Sequence, residues 1–424
     1  MAQYIISGRA RLEGSVVVSG SKNAALGIVA ASLLSDDPCY LENVPDIDDI
    51  RVMIDMCRTI GAVVERREDG ILFIDPRSIY TCEVLDDNPR KIRGSYYLQG
   101  ALLGRMNRVK IASPGGCNLG PRPTDIHNRG FESLGATVNV ESGIVTLEAK
   151  DLTGGNCYVE RSVGATINIM LGAVKARGTT TIENAAREPH VVDVASFLNS
   201  MGANIKGAGT DVIRITGVPY LGARNSHVEY AVIPDQIEAG TFMIAAALTH
   251  GDVIVRNVIP KHQEALMAKL QEMGVNVENN GDWVRVSLDE DKTLESVNVN
   301  AVVYPGFPTD MQPQMTVLLT QANGRSRMTE NIYENRFQYL PDLISMGANI
   351  DLSGRVANVY GPTRLSGNWV SAHDLRAGAA MVLAGMAAEG HTTVNDAHLI
   401  QRGYVDFIDK LNSIGAKISF RNDD

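Results

Sequence analysis

At 424 residues the chain is too long for one ordinary core, and roughly 100 to 200 residues per domain leads us to expect two domains. Hydrophobic residues make up 44% and charged residues 21%, proportions that exclude wholesale disorder. The formal net charge of -10 excludes a broad basic face of the kind that coats nucleic acid or a membrane surface, yet leaves room for a local basic pocket.

In chain order the elements repeat. A helix of small apolar residues, Asn23 to Leu34, precedes the strand Cys39-Tyr40-Leu41, and a second helix then runs into Ile60-Gly61-Ala62-Val63. The same device ends at Leu134-Gly135-Ala136-Thr137 and, after a helix at Ala165 to Lys175 and a strand at Thr180-Thr181-Ile182, at Met201-Gly202-Ala203-Asn204. Thr241 to Thr249, Val253-Ile254-Val255 and Met273-Gly274-Val275-Asn276 form the next unit, followed by Met346-Gly347-Ala348-Asn349. Ala377 to Ala388, Thr392-Thr393-Val394 and Ile414-Gly415-Ala416-Lys417 form the last. The six glycines are 74, 67, 72, 73 and 68 residues apart, so the class is α/β, built from six repeats of about 70 residues. Each glycine is expected to end its helix in a left-handed conformation.

First helices are expected to open at Lys22, Arg93, Ser162, Gln236, Asp310 and Arg376. The sixth unit is then short by about the length of the segment before Lys22, which is expected to complete it. We therefore expect one three-repeat domain at 22–233 and a second at 1–21 plus 234–424, joined near Ser21 and Pro234 with a cleft between them.

No charged-then-apolar leader precedes Ser7, and no apolar run reaches the roughly 18 residues of a bilayer span, so a cytoplasmic protein without membrane or nucleic-acid partners is expected. Cys39, Cys57, Cys82, Cys117 and Cys157 show no CxxC spacing and the histidines no HExxH, so neither a disulfide framework nor a metal is expected. Neither GxxxxGK[ST] nor a strand-linked GxGxxG occurs, which argues against kinase and dehydrogenase readings. No cofactor is expected.

Arginine recurs where second helices are expected to begin, at Arg122, Arg187, Arg336 and Arg402, and Lys22, Arg93 and Arg376 sit at first helices. A cation at a helix N-terminus is unfavourable unless an anion is near. Local carboxylates such as Asp125, Glu188 or Asp374 could serve, but recurrence at seven positions of an acidic chain points to a phosphate- or carboxylate-bearing ligand. The loop Ser113-Pro114-Gly115-Gly116-Cys117-Asn118-Leu119-Gly120 sets Cys117 in a polar, glycine-rich segment near a helix start, where a thiol can reach a useful pKa. Asp310, in Pro308-Thr309-Asp310-Met311, is either a helix cap or a base for a substrate hydroxyl.

These residues resemble the UDP-N-acetylglucosamine 1-carboxyvinyltransferases, a branch of the enolpyruvyl transferases, over nearly the whole length. The likeness rests on Gly20-Ser21-Lys22-Asn23-Ala24-Ala25, Pro114-Gly115-Gly116-Cys117, Gly120-Pro121-Arg122-Pro123-Thr124-Asp125-Ile126-His127, Ser162-Val163-Gly164-Ala165-Thr166, Glu183-Asn184-Ala185-Ala186-Arg187-Glu188-Pro189, Phe307-Pro308-Thr309-Asp310-Met311-Gln312, Glu334-Asn335-Arg336-Phe337, Asp374-Leu375-Arg376 and Arg402-Gly403-Tyr404. The resemblance implies a two-domain inside-out α/β barrel. It also implies transfer of the enolpyruvyl group of phosphoenolpyruvate to the 3′-hydroxyl of UDP-N-acetylglucosamine, in peptidoglycan synthesis, by a monomer needing no metal.

By the same likeness Cys117, Asp310, Lys22 and Arg402 are the catalytic set, with Cys117 as acid and Asp310 as base. Lys22, Asn23, Arg122, Arg336, Arg376 and Arg402 would hold phosphoenolpyruvate. Arg93, Arg122, Pro123, Thr124, Asp125, Ile126, Ser162, Val163, Gly164, Asp310 and Ile332 would contact the UDP-sugar, and Asp374 belongs to the binding set. Fosfomycin would alkylate Cys117. Gln236 stands where that family commonly has arginine, Glu160-Arg161 where some members have lysine, and Tyr97 where some have tryptophan. The alternatives are a non-catalytic UDP-sugar-binding regulator and a transferase acting on shikimate 3-phosphate.

Overall fold

A computed structural model of the chain describes residues 2–116, 119–120, 124–223 and 227–422. Two compact units divide it: one comprises Gly20–Cys117 and Arg122–Ile233, the other Met1–Ser19, Asn118–Pro121 and Pro234–Asp424.

In the first of these units, three sheets share one plan. Cys39–Glu42 has a parallel neighbour, Val228–Ala231, on one side and antiparallel Leu72–Asp75 on the other, with Val63–Arg66 outermost. Arg108–Ala112 and Thr179–Glu183 hold the same place in the other two sheets, beside parallel Glu83–Val84 and Asn156–Tyr158. The terminal-containing unit repeats the plan around Asp252–Arg256, Ala322–Glu330 and His391–Asn395. In its last sheet the place next to His391–Asn395 is filled by the N-terminal strand Ala2–Ser7, with Tyr4 opposite Val394 on one side and Phe420 on the other.

The first helices of the repeats carry apolar residues around most of their circumference, as enclosed helices do. Lys22–Ser32, Val163–Ala173, Gln236–Leu248 and Leu375–Ala387 are buried almost throughout. Second helices bury one stripe, as Asp48–Thr59 does with Ile50, Met53, Ile54 and Cys57, and strands such as Val212–Thr216 alternate exposed and buried. In each unit the helices therefore lie inside and the sheets outside, the inside-out α/β barrel expected from the sequence.

The six repeat glycines all have positive φ, between 87° and 110°. Each closes a Schellman motif: Gly61 N–H donates to Arg58 O (2.9 Å) and Ala62 N–H to Cys57 O (3.1 Å), and the other five repeat this pair of bonds. The residue after the glycine packs back on its helix, which is why it is alanine or valine in the six sequences.

One expectation is corrected. The arginines do not open the second helices, which begin at Asp125, Pro189, Leu340 and Phe407. Arg187, Arg336 and Arg402 lie two to five residues ahead. Arg187 pairs with Asp211, so for this one the local-carboxylate reading holds. Likewise Arg93 opens a 3-10 turn, Arg93–Tyr96, ahead of the helix Tyr97–Met106.

The helices Tyr97–Met106 and Val163–Ala173 cross at Gly100, where a Cβ would stand 2.1 Å from Asn168 O. Gly100→Ala must separate two backbones and is expected to cost about 2 to 3 kcal/mol, read from urea unfolding. A loss within experimental error would show that the crossing yields freely.

Candidate active site

In the unit containing 20–116, Ser21 Oγ accepts the Ala24 N–H (3.4 Å) and caps the helix that Lys22 opens. The Lys22 side chain is buried with its Nζ 2.8 Å from Asp49 Oδ2, the pairing a buried ammonium requires. Half-buried Asn23 follows.

The Arg93 guanidinium lies over the Tyr96 ring, 5.7 Å from its centroid. Tyr96 in turn meets the rings of His127 (4.8 Å) and Tyr97 (4.7 Å) edge-on, so the tyrosine at 97 is buried packing. Thr124 occupies the N-cap position of Asp125–Ser133, where Asp125 pairs with Arg129 (3.2 Å) and Ile126 is half-buried. Ser162 Oγ accepts the Ala165 N–H (3.3 Å) and opens the helix beginning at Val163. A Cβ on Gly164 would come within 2.6 Å of Tyr96 Oη and 3.1 Å of His127 Cε1, so glycine permits this approach. The structure thus gathers Arg93, the segment 124–127 and the turn 162–164 around one tyrosine. Burial, reinforced by Arg93 and opposed by Asp125, pushes the His127 pKa down to about 4.

Before that turn, Glu160 and Arg161 both take left-handed backbone, φ 52° and 57°, a strained pair for side-chain-bearing residues. Arg161 is held by N–H to Asn184 O (2.8 Å) and Nε to Asn184 Oδ1 (3.2 Å), and Glu160 by Arg129 (3.4 Å).

In the unit containing 234–422, Asp310 sits inside the 3-10 turn Thr309–Met311, while the cap positions fall on Pro308 and Met311. Asp310 is therefore not the helix cap. Its Oδ1 accepts from Arg336 Nη2 (2.9 Å) and its Oδ2 from Arg376 Nε (3.4 Å). Both guanidiniums are 2% exposed at the side chain. Burial works against the charge of Arg336, but Asp310 and Asp374 outweigh it and hold the pKa above the ordinary arginine value. For Arg376 burial is outweighed by Tyr404 and Asp310. Among the described residues Arg336 Nε and Arg376 Nη1 find no hydrogen-bond partner, and both are buried. Asp374 caps Leu375–Ala387 through Oδ1, accepting from the N–H groups of Arg376 (2.7 Å) and Ala377 (3.0 Å). Two buried guanidiniums thus meet on one carboxylate, an arrangement whose remaining N–H groups could grip an anion.

Buried Glu330 ties Ile332 to this place: it accepts the N–H groups of Ile332 (2.7 Å) and Tyr333 (3.1 Å) and the hydroxyl of Thr309 (2.8 Å). Arg402 ends the turn Ala397–Arg402 and is half-buried, two residues before Tyr404, whose ring lies 5.2 Å from the Arg376 guanidinium carbon. Gln236 lines a small pocket together with Lys261, His262, Tyr304 and Pro308. Cys117, Arg122 and Pro123 lie outside the described residues.

Sequence reasoning assigned no role to Asp49, Tyr96, His127, Asn168, Glu330 or Tyr404. Asn168 could have been flagged as a polar residue inside an otherwise apolar helix. Among the described residues no group of three or more His, Cys, Asp or Glu could hold a metal ion, and no helix is long and apolar enough to cross a membrane.

Enclosed first helices inside a shell of sheets and two buried arginines on one aspartate define a class that comparison with known proteins identifies. The chain belongs to the EPSP synthase (3-phosphoshikimate 1-carboxyvinyltransferase) family, whose model matches residues 6–411. It is 50% identical over 420 residues, 99% of this chain and 96% of the relative, to UDP-N-acetylglucosamine 1-carboxyvinyltransferase 2 of Geobacillus kaustophilus. It is also 50% identical to UDP-N-acetylglucosamine 1-carboxyvinyltransferase 3 of Caldanaerobacter subterraneus subsp. tengcongensis, over 99% of both chains. Among solved structures, the enolpyruvyl transferase NikO from Streptomyces tendae superposes with a TM-score of 0.87 at 28% identity, covering 100% of this chain and 99% of that one.

Proposed function

We propose that the chain transfers the enolpyruvyl group of phosphoenolpyruvate to the 3′-hydroxyl of UDP-N-acetylglucosamine and releases phosphate, as a cytoplasmic, monomeric enzyme of peptidoglycan synthesis. The observation that carries this reading is the pair of buried guanidiniums on one carboxylate: Arg336 and Arg376 supply positive charge, and Asp310, at 29% side-chain exposure, retains reach toward a substrate hydroxyl. Full-length relatives of that name support the choice of substrates.

In this mechanism Lys22, Asn23, Arg122, Arg336, Arg376 and Arg402 neutralise the phosphate and carboxylate of phosphoenolpyruvate. Arg93, the residues 122–126, the turn Ser162 to Gly164 and Ile332 hold the UDP-sugar, and Asp374 fixes Arg376 by capping its helix. Asp310 takes the proton from the 3′-hydroxyl as its oxygen bonds to C2, and Cys117 protonates C3. The resulting ketal loses phosphate and a C3 proton to give the enolpyruvyl ether.

Phosphate release that requires both substrates, and that falls with Cys117→Ala, is the expected result. Cys117→Asp, which keeps an acid, is expected to retain turnover, and fosfomycin is expected to abolish it in the unmodified protein by alkylating the thiol. UDP-sugar binding with no phosphate release would replace this reading by a regulatory one.

A further inference from the structure

Helix Val163–Ala173 encloses Asn168 completely, and every polar atom of its amide is committed. Oδ1 accepts the Gly100 N–H (2.8 Å), which fixes which end of the amide is oxygen. Nδ2 therefore faces the other two partners, Gln99 Oε1 (3.3 Å) and His127 Nδ1 (3.0 Å). An amide nitrogen only donates, so His127 Nδ1 carries a lone pair and the ring proton resides on Nε2. Putting a proton on Nδ1 would set two donors face to face. Turning the amide to relieve that clash would strip the buried Gly100 N–H of its acceptor.

The ring so fixed is central to the cluster. It meets Tyr96 edge-on, Tyr96 carries the Arg93 guanidinium, and His127 Cε1 crowds Gly164. Among the described residues the charged groups acting on it are Arg93 and Asp125; Tyr96, Gln99 and Asn168 are neutral neighbours.

Resting on the transferase reading above, we propose that His127 is a positioning residue for the nucleotide-sugar: Asn168 locks its Nε2–H form, and the locked ring sets Tyr96 and Arg93 against the Ser162–Gly164 turn. The imidazole acts through these groups and takes no part in proton transfer.

Two measurements on the full-length protein test this. Imidazole ¹⁵N spectra should show Nδ1 bare and Nε2 protonated across roughly pH 5 to 9; an Nδ1–H form, or titration within that range, overturns the lock. His127→Asn keeps an acceptor where Nδ1 stood and so preserves the Asn168 network while deleting the ring. It is expected to raise the KM for UDP-N-acetylglucosamine about tenfold and to change the KM for phosphoenolpyruvate and kcat by less than about twofold. Asn168→Asp, which would draw a proton onto Nδ1, should give a sugar KM that varies with pH where the wild type's does not. An unchanged sugar KM in folded His127→Asn, or equal rises in both KM values, overturns the positioning role. Absence of sugar-dependent phosphate release by the wild type would instead overturn the transferase reading, a result the spectra of the lock do not depend on.

Discussion

Asp310→Asn is expected to lower kcat by about 10²- to 10⁴-fold, the usual worth of a positioned general base. The asparagine keeps an oxygen for one guanidinium but offers no base and no negative charge between Arg336 and Arg376, which approach Asp310 at 2.9 and 3.4 Å. Two buried cations then face each other with less compensation, so stability should also fall, by roughly 1 to 3 kcal/mol for the weakened charged hydrogen bonds. Steady-state kinetics beside urea unfolding separates the two effects. A variant that loses stability at full kcat would leave Asp310 a purely structural counter-ion.

Lys410→Met is expected to destabilise the protein more near pH 8 than near pH 5, by up to about 1.4 kcal/mol, because an orphaned Glu238 carboxylate takes up a proton instead of staying charged. Glu238 is fully enclosed, with Oε1 2.5 Å from Lys410 Nζ and Oε2 accepting the Ser19 N–H at 3.2 Å. Burial pushes its pKa up to about 7, with Lys410 holding it down. A carboxyl with a raised folded pKa contributes stability that is fully present below the unfolded value, near 4.5, and lost as pH climbs through about 7. Without Lys410 that loss should deepen and extend to higher pH. Equal destabilisation at both pH values would show that Lys410 acts through packing rather than charge.

The repeat architecture was legible in the sequence because its signals are local. Gly61, Gly135, Gly202, Gly274, Gly347 and Gly415 each punctuate a helix end, and the unbroken apolar run of a helix such as Val163–Ala173 marks it as enclosed. The site was legible in its charges but not in their pairing. Nothing near Asp310 in sequence shows that Arg336 and Arg376 converge on it, and only the cap positions on Pro308 and Met311 exclude the capping role. The helix starts are not legible at the arginines because the approach segments, such as the turn Ala397–Arg402, have no clear periodicity. The Asn168–His127 contact joins residues 41 apart on different helices, beyond the reach of any spacing rule.

The place of strand Ala2–Ser7 between His391–Asn395 and Lys417–Asn422 sets an order of events during synthesis. A ribosome adding about 5 to 20 residues per second delivers this strand roughly 20 to 80 seconds before those neighbours. All the sheet strands of the unit spanning 20–233 lie between Cys39 and Ala231, so that unit can fold while the rest is still being made. The other unit cannot finish until Lys417–Asn422 emerges. Strand Ala2–Ser7 therefore spends that interval as an unpaired edge, and the nascent chain is exposed there to mispairing and to chaperones.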